Sequence, residues 1–172
     1  MLSKKAKYAL KGLLVLAKEY GQGPVHISEI ARREGIPGKF LELILLELKN
    51  QGVVHSKRGA SGGYFLAHPP RKIYVGQIVR VLDGPLAPLP CVSHTAYMRC
   101  RECRDEKTCG IRLVMKQVRD ATARILDAKS LADVLRGVDG TASRKESSRT
   151  LRLRKQGIHS NLMEIGRIGP CD

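Results

Sequence analysis

Residues 58–63 read Arg58-Gly59-Ala60-Ser61-Gly62-Gly63, three glycines in six positions, between Val53-Val54-His55 and Tyr64-Phe65-Leu66. Glycine supplies the backbone angles a tight reversal needs, and β-branched and aromatic residues favour extended chain, so this segment predicts a β-hairpin. Immediately before it, Leu41, Ile44, Leu45 and Leu48 fall on one face of a helix that opens on Lys39 and ends at Gly52. Phe40, beside them, is read as core. Gly35-Ile36-Pro37 separates that helix from a shorter one, capped by His26-Ile27-Ser28-Glu29, whose Ile30 and Ala31 face inward. Two helices joined by a tight glycine-containing turn, the second amphipathic and followed by a hairpin, form a winged helix-turn-helix pattern.

The flanking segments extend a mainly α fold with one small β-hairpin. Ala6, Leu10, Leu13, Leu14 and Ala17 recur at helical spacing between a Ser3 cap and a Gly21 stop, a helix of about 17 residues. Val75, Ile78, Val79 and Leu82 predict another, ended by Gly84-Pro85. From Cys109 a long helix carries a stripe of Ile111, Val114, Met115, Val118, Ala121 and Ile125, with Arg112, Lys116, Arg119 and Asp120 on a charged opposite face. Such a stripe needs a cover, and a two-fold partner helix supplies one, so a homodimer is expected. Ser130-Leu131-Ala132-Asp133 resembles a capping box opening a short terminal helix. The expected organisation is a DNA-binding winged helix-turn-helix over 1–84, a cysteine-rich sensor loop over 85–108, a dimerisation helix and short terminal helix over 109–137, and a disordered basic tail over 138–172.

Charge narrows the partner. The 172 residues hold 31 Lys and Arg against 16 Asp and Glu, a formal net charge of +15, which points to a polyanion. Lys4, Lys5, Lys7, Lys39, Lys57 and Arg58 lie at helix starts or in the wing, where phosphates are met. Gly38, Ser61, Gly62 and Tyr64 complete the candidate double-stranded DNA contacts. Glu42 repels phosphates but can accept a hydrogen bond from a cytosine amino group, or pair with Lys39 at i,i+3. No run of 18 apolar residues occurs, and the start lacks an apolar segment with a cleavage site, so a cytoplasmic protein with no membrane partner is expected.

Four of five cysteines, Cys91, Cys100, Cys103 and Cys109, crowd into 19 positions as C-x8-C, C-x2-C and C-x5-C, while Cys171 stands near the end. Arg99, Arg101, Arg104, Lys107 and the following helix start are expected to favour thiolates over thiols. Four such sulfurs suit zinc or an iron–sulfur cluster. Only Cys100 and Cys103 make a close pair, which tilts the reading toward a cluster. A thiol redox switch with no metal stays open. The C-x2-C also occurs in disulfide oxidoreductases, but no βαβ pattern surrounds it, so no enzyme is expected.

The segment ARREGIPGKFLELILLELKNQGVVHSKRGASGGYFLA resembles the helix-turn-helix and wing of the Rrf-two (Rrf2) family of bacterial transcription regulators, the family of IscR, NsrR, RirA and CymR. The resemblance covers about residues 1–136, and the RGASGGYFLA wing is its most diagnostic piece. It implies a homodimer crossed through the long helix, palindromic operators and, in many members, a cysteine-ligated cluster (2Fe-2S or 4Fe-4S) controlling DNA binding. By the same resemblance Cys91, Cys103 and Cys109 match the cluster cysteines. IscR-like proteins have a histidine where this chain has Arg112, and NsrR-like proteins an aspartate where it has Lys7. Neither fourth ligand is present, and Cys100 is extra, so Cys100 is the expected fourth thiolate. The expected function is a repressor reporting iron–sulfur, iron or redox status. The alternatives are a cluster-free, CymR-like regulator answering to a protein partner or thiol oxidation, and a structural zinc site.

Overall fold

The structure, a computed structural model, describes residues 2–59 and 61–137. They fall in one unit, Met1–Val134, and in the first residues of a second that starts at Leu135. The expected tail at 138–172, with Cys171, lies outside the described residues.

Helix α1, Lys4–Lys18, starts where Ser3 Oγ accepts a hydrogen bond from the Ala6 N–H at 3.0 Å. It buries Ala6, Ala9, Leu13 and Leu16. Its Gly12 leaves room for α3, since a Cβ there would meet Leu41 at 3.4 Å. Helix α2, Ile27–Glu34, buries Ile30, half-buries Ala31, and stops at Gly35 in the left-handed region (φ 62°). Helix α3, Gly38–Asn50, follows after Pro37 and fully buries Leu41, Ile44, Leu45 and Leu48. Each such side chain contributes about 1.5–3 kcal/mol by leaving water, so these four aliphatics fix α3 against α1 and α2 with its other face outward.

Gly52, at φ 69°, turns the chain into the hairpin. Strands β1, Val54–Lys57, and β2, Gly63–Leu66, pair antiparallel with Val54 opposite Leu66 and Lys57 opposite Gly63. The strands run one or two residues beyond the apolar runs that announce them, because the glycine turn itself is short. The hairpin is stitched to the body at Tyr64, whose N–H and C=O exchange two 2.9 Å bonds with Val25.

Helix α4, Val75–Asp83, buries Ile78, Val79 and Leu82. Asp83 accepts hydrogen bonds from the Ser3 N–H at 2.9 Å and from the Ser3 hydroxyl, so the end of α4 holds the start of α1. Residues 84–90 then lead to a 3-10 turn, Pro90–Val92, and an irregular loop to helix α5, Gly110–Asp127. Arg80 and Asp127 form a two-pronged ion pair (2.6 and 2.7 Å) joining α4 to α5. Gly76 permits it, since a Cβ there would stand 2.0 Å from the Asp127 carboxylate. Ser130 and Asp133 cap each other reciprocally: Asp133 accepts from the Ser130 N–H at 2.9 Å, and Ser130 Oγ accepts from the Asp133 N–H at 3.2 Å. Residues 131–137 are helical.

Candidate nucleic-acid interface and cysteine loop

The face of α3 turned from the core presents Gly38, Lys39, Glu42, Leu43, Leu46, Lys49 and Asn50, all exposed. No side chain caps the helix, so the amide groups of its first turn are open to an anion. Phe40, read as core, is instead 36% exposed and packs edge-on against Tyr8, ring centroids 5.9 Å apart. Lys39 and Glu42 make no ion pair with each other among the described residues, and both side chains face solvent.

Lys4, Lys7, Lys57, Arg58 and Ser61 are likewise exposed. Lys5 is spent differently, on a 2.6 Å ion pair with Glu47 that ties α1 to α3. Gly62 is buried: its N–H donates to the Gly59 carbonyl at 2.9 Å, and a Cβ there would lie 2.4 Å from the Lys57 carbonyl oxygen. Gly62 therefore shapes the wing, Tyr64 anchors it through its backbone, and Lys57, Arg58 and Ser61 are its outward groups. Leu43 and Leu46, also exposed on α3, escape a reading of the sequence that looks only for charge. The signal was their offset from the Leu41-Ile44-Leu45-Leu48 face.

Cys91 is buried in the 3-10 turn, Cys100 is exposed, and Cys103 and Cys109 are half-buried. Cys100 and Cys103 form a tight turn, the Cys103 N–H donating to the Cys100 carbonyl at 3.2 Å. Arg99 donates to the Cys103 and Arg104 carbonyls, both at 3.2 Å, and Asp105 accepts from the Lys107 N–H and the Thr108 hydroxyl, both at 3.0 Å. Glu106 accepts from Tyr97 and pairs with Arg112 at 3.4 Å. Cys109 is the N-cap of α5.

Two arginines of the charged face of α5 grip this loop. Arg112 donates to the Cys91 carbonyl at 3.3 Å, and Arg119, only 7% exposed, donates to the Val92 carbonyl. The reason is that the 3-10 turn buries carbonyls with no ladder partner, and a buried acceptor needs a donor. The other face of α5 is open: Ile111, Val114, Val118 and Ile125 are 43–68% exposed.

The surroundings of two of the four cysteines, Cys100 and Cys103, oppose the expected thiolates. Desolvation and then the carboxylate of Glu102 raise the Cys100 thiol, and desolvation and then the Cys109 charge raise that of Cys103, with Arg99 opposing only in part. Of the neighbouring arginines, Arg99 is occupied by the Cys103 and Arg104 carbonyls and Arg112 by Glu106 and the Cys91 carbonyl. Among the described residues no three His, Cys, Asp or Glu side chains gather closely enough to hold a metal ion. Cys91, Cys100, Cys103 and Cys109 nonetheless share one loop at the entry of α5, and sulfur donors are the type that zinc or an iron–sulfur cluster takes.

A family model described as Rrf2, iron-dependent transcriptional regulator, matches residues 2–137. The chain belongs to the Rrf2 family. An rrf2-like HTH-type transcriptional regulator of Rhodobacter capsulatus is 47% identical over 138 residues, covering 78% of this chain and 92% of the relative. Among solved Rrf2 structures, CymR of Bacillus subtilis, titled the global cysteine regulator of that organism, has a TM-score of 0.65 at 34% identity, covering 78% of this chain and 95% of its own. T. potens IscR has a TM-score of 0.64 at 32% identity, covering 80% and 88%. The Rrf2 chain is thus a transcriptional regulator with a winged helix, and not an enzyme. Among its described residues no helix is long and apolar enough to cross a membrane.

Proposed function

We propose that this Rrf2 regulator works in the cytoplasm as a homodimeric repressor that binds palindromic operator DNA and reports iron–sulfur, iron or redox status through residues 91–109. The observation that carries the reading is the double duty of α5. One face holds the cysteine loop through Arg112 and Arg119, and the other offers the unpartnered Ile111-Val114-Val118-Ile125 stripe. That stripe borders an apolar groove of about 610 Å³ lined by Leu10, Val79, Leu86, Val118 and Leu126. A second copy fits both.

Cys91, Cys103 and Cys109 are the proposed cluster ligands, with Cys100 as the fourth, and such a group would supply an oxygen- and redox-labile link among the four thiolates. The protein's part is mechanical. Ordering of 91–109 fixes the entry of α5, α5 sets the separation of the two α3 helices, and that separation either matches or misses half-sites about 34 Å apart, or a multiple. Lys39, Lys57 and Arg58 supply phosphate attraction and Glu42 specificity.

Anaerobic purification followed by a visible spectrum and iron, sulfide and zinc analysis tests the sensor. Charge-transfer bands with iron and sulfide, lost in Cys100→Ser, support it; equal operator affinity with and without the bound group refutes it. A second reading rests on the raised Cys100 and Cys103 thiols and the similarity to CymR: a metal-free regulator answering to thiol oxidation or a protein partner. Protein that stays metal-free after reconstitution favours it, whereas bound zinc without colour indicates a structural site.

A further inference from the structure

The recognition face of α3 holds two leucines that neither the core nor the charge argument uses. Leu43 is 64% exposed and Leu46 is 47% exposed, although Leu41, Ile44, Leu45 and Leu48 on the same helix are fully buried. A single exposed leucine is ordinary, but residues three apart on a helix adjoin, so these form one apolar strip. Lys39 stands four residues before Leu43 and Lys49 three after Leu46, both exposed, and neither forms an ion pair among the described residues. The strip is therefore apolar in the middle and cationic at both ends.

That distribution matches the major groove, whose edges are phosphates and whose floor offers one apolar group, the C5-methyl of thymine. Resting on the DNA-binding reading above, we infer that Leu43, backed by Leu46, reads thymine methyl groups in each operator half-site. Leu43 sits beside Glu42 in the first half of α3, the part of a recognition helix that reaches base edges. Glu42 then accepts from an amino group and Leu43 covers a methyl, so adjoining bases are told apart by opposite chemistries. A protein partner on this face would bury the same leucines but would make no distinction between thymine and uracil.

The test uses the full chain purified anaerobically. Random duplexes are first selected for binding, and each thymine of the enriched site is then replaced singly by deoxyuridine, which keeps the base pair and removes only the methyl. The expected result is a loss of about three- to fivefold at one or two thymines per half-site, with the salt dependence unchanged. Leu43→Ala binds the thymine duplex more weakly and no longer distinguishes it from the uracil duplex at the position Leu43 covers. Uracil duplexes that all bind the wild-type chain equally well, or a Leu43→Ala protein that keeps the full discrimination, overturn the inference while leaving DNA binding intact. A selection that enriches no duplex overturns the DNA-binding reading and the inference together.

Discussion

Arg119 is a guanidinium in a place where charge is costly. It is 7% exposed, and it holds the Val92 carbonyl while pairing with Asp120. Arg119→Met keeps most of the packing volume but strands that carbonyl, which costs about 1–3 kcal/mol. Thermal unfolding should fall by several degrees, and proteolysis within 93–109 should accelerate. Arg112→Met, whose side chain is 26% exposed, should cost less on both measures. From sequence alone Arg119 reads as part of a charged face, because spacing gives the direction of a side chain from its helix and not what stands opposite. The opposing 3-10 turn comes from a loop 27 residues away, and no periodicity announces it. The same limit hides Lys5, whose ion pair with Glu47 belongs to the packing of α1 on α3. Charge counting marks both as surface cations; only tertiary contact separates them from Lys4 and Lys39.

Individual elements were legible wherever local chemistry decides them. Ser3 caps α1, Gly35 ends α2, the four aliphatics of α3 are buried, and the Ser130–Asp133 box closes as its spacing implies. The wing was equally legible, but its glycines are not equivalent. Gly62→Ala places a Cβ against the Lys57 carbonyl at 2.4 Å, so the turn must open. Faster exchange of the Gly62 and Tyr64 amides, with weaker DNA binding and little change elsewhere, is the expected outcome. In α2, Glu29 is lowered from its ordinary value to about 2 by hydrogen bonds from Arg32 and Arg33. Because the folded value is depressed, its stabilising contribution is complete above the ordinary carboxylate range and is lost as pH falls toward 2. Carboxyl NMR should show Glu29 titrating well below its ordinary value, and Arg33→Gln should move it back upward. The three groups lie at the surface, so high salt should weaken their interaction. The cysteine segment was legible only as composition: its spacing shows that four sulfurs share a loop, whereas their differing exposure, and the raised thiols of Cys100 and Cys103, depend on how the surrounding chain desolvates them and on where Glu102 and Arg99 come to rest.

For the molecule as a whole, the exposed stripe on α5 sets the expected assembly. Val118→Glu, in the middle of that stripe and 43% exposed in the single chain, should convert the proposed dimer to monomer in sedimentation while leaving the monomer folded. DNA affinity should fall further than any single phosphate contact explains, because two half-sites are then no longer held by one particle. Lys116→Glu, on the opposite face of the same helix, should leave sedimentation unchanged. A separate consequence lies at the corner where Asp83 receives both the N–H and the hydroxyl of Ser3. The carboxylate that finishes α4 is also the latch on the cap of α1, and residues 84–90 continue the chain directly from it toward the cysteine loop. One carboxylate therefore couples the end of α4 to the helix bearing Lys4 and Lys7, and Asp83→Asn, whose amide keeps only one accepting oxygen, should loosen that coupling.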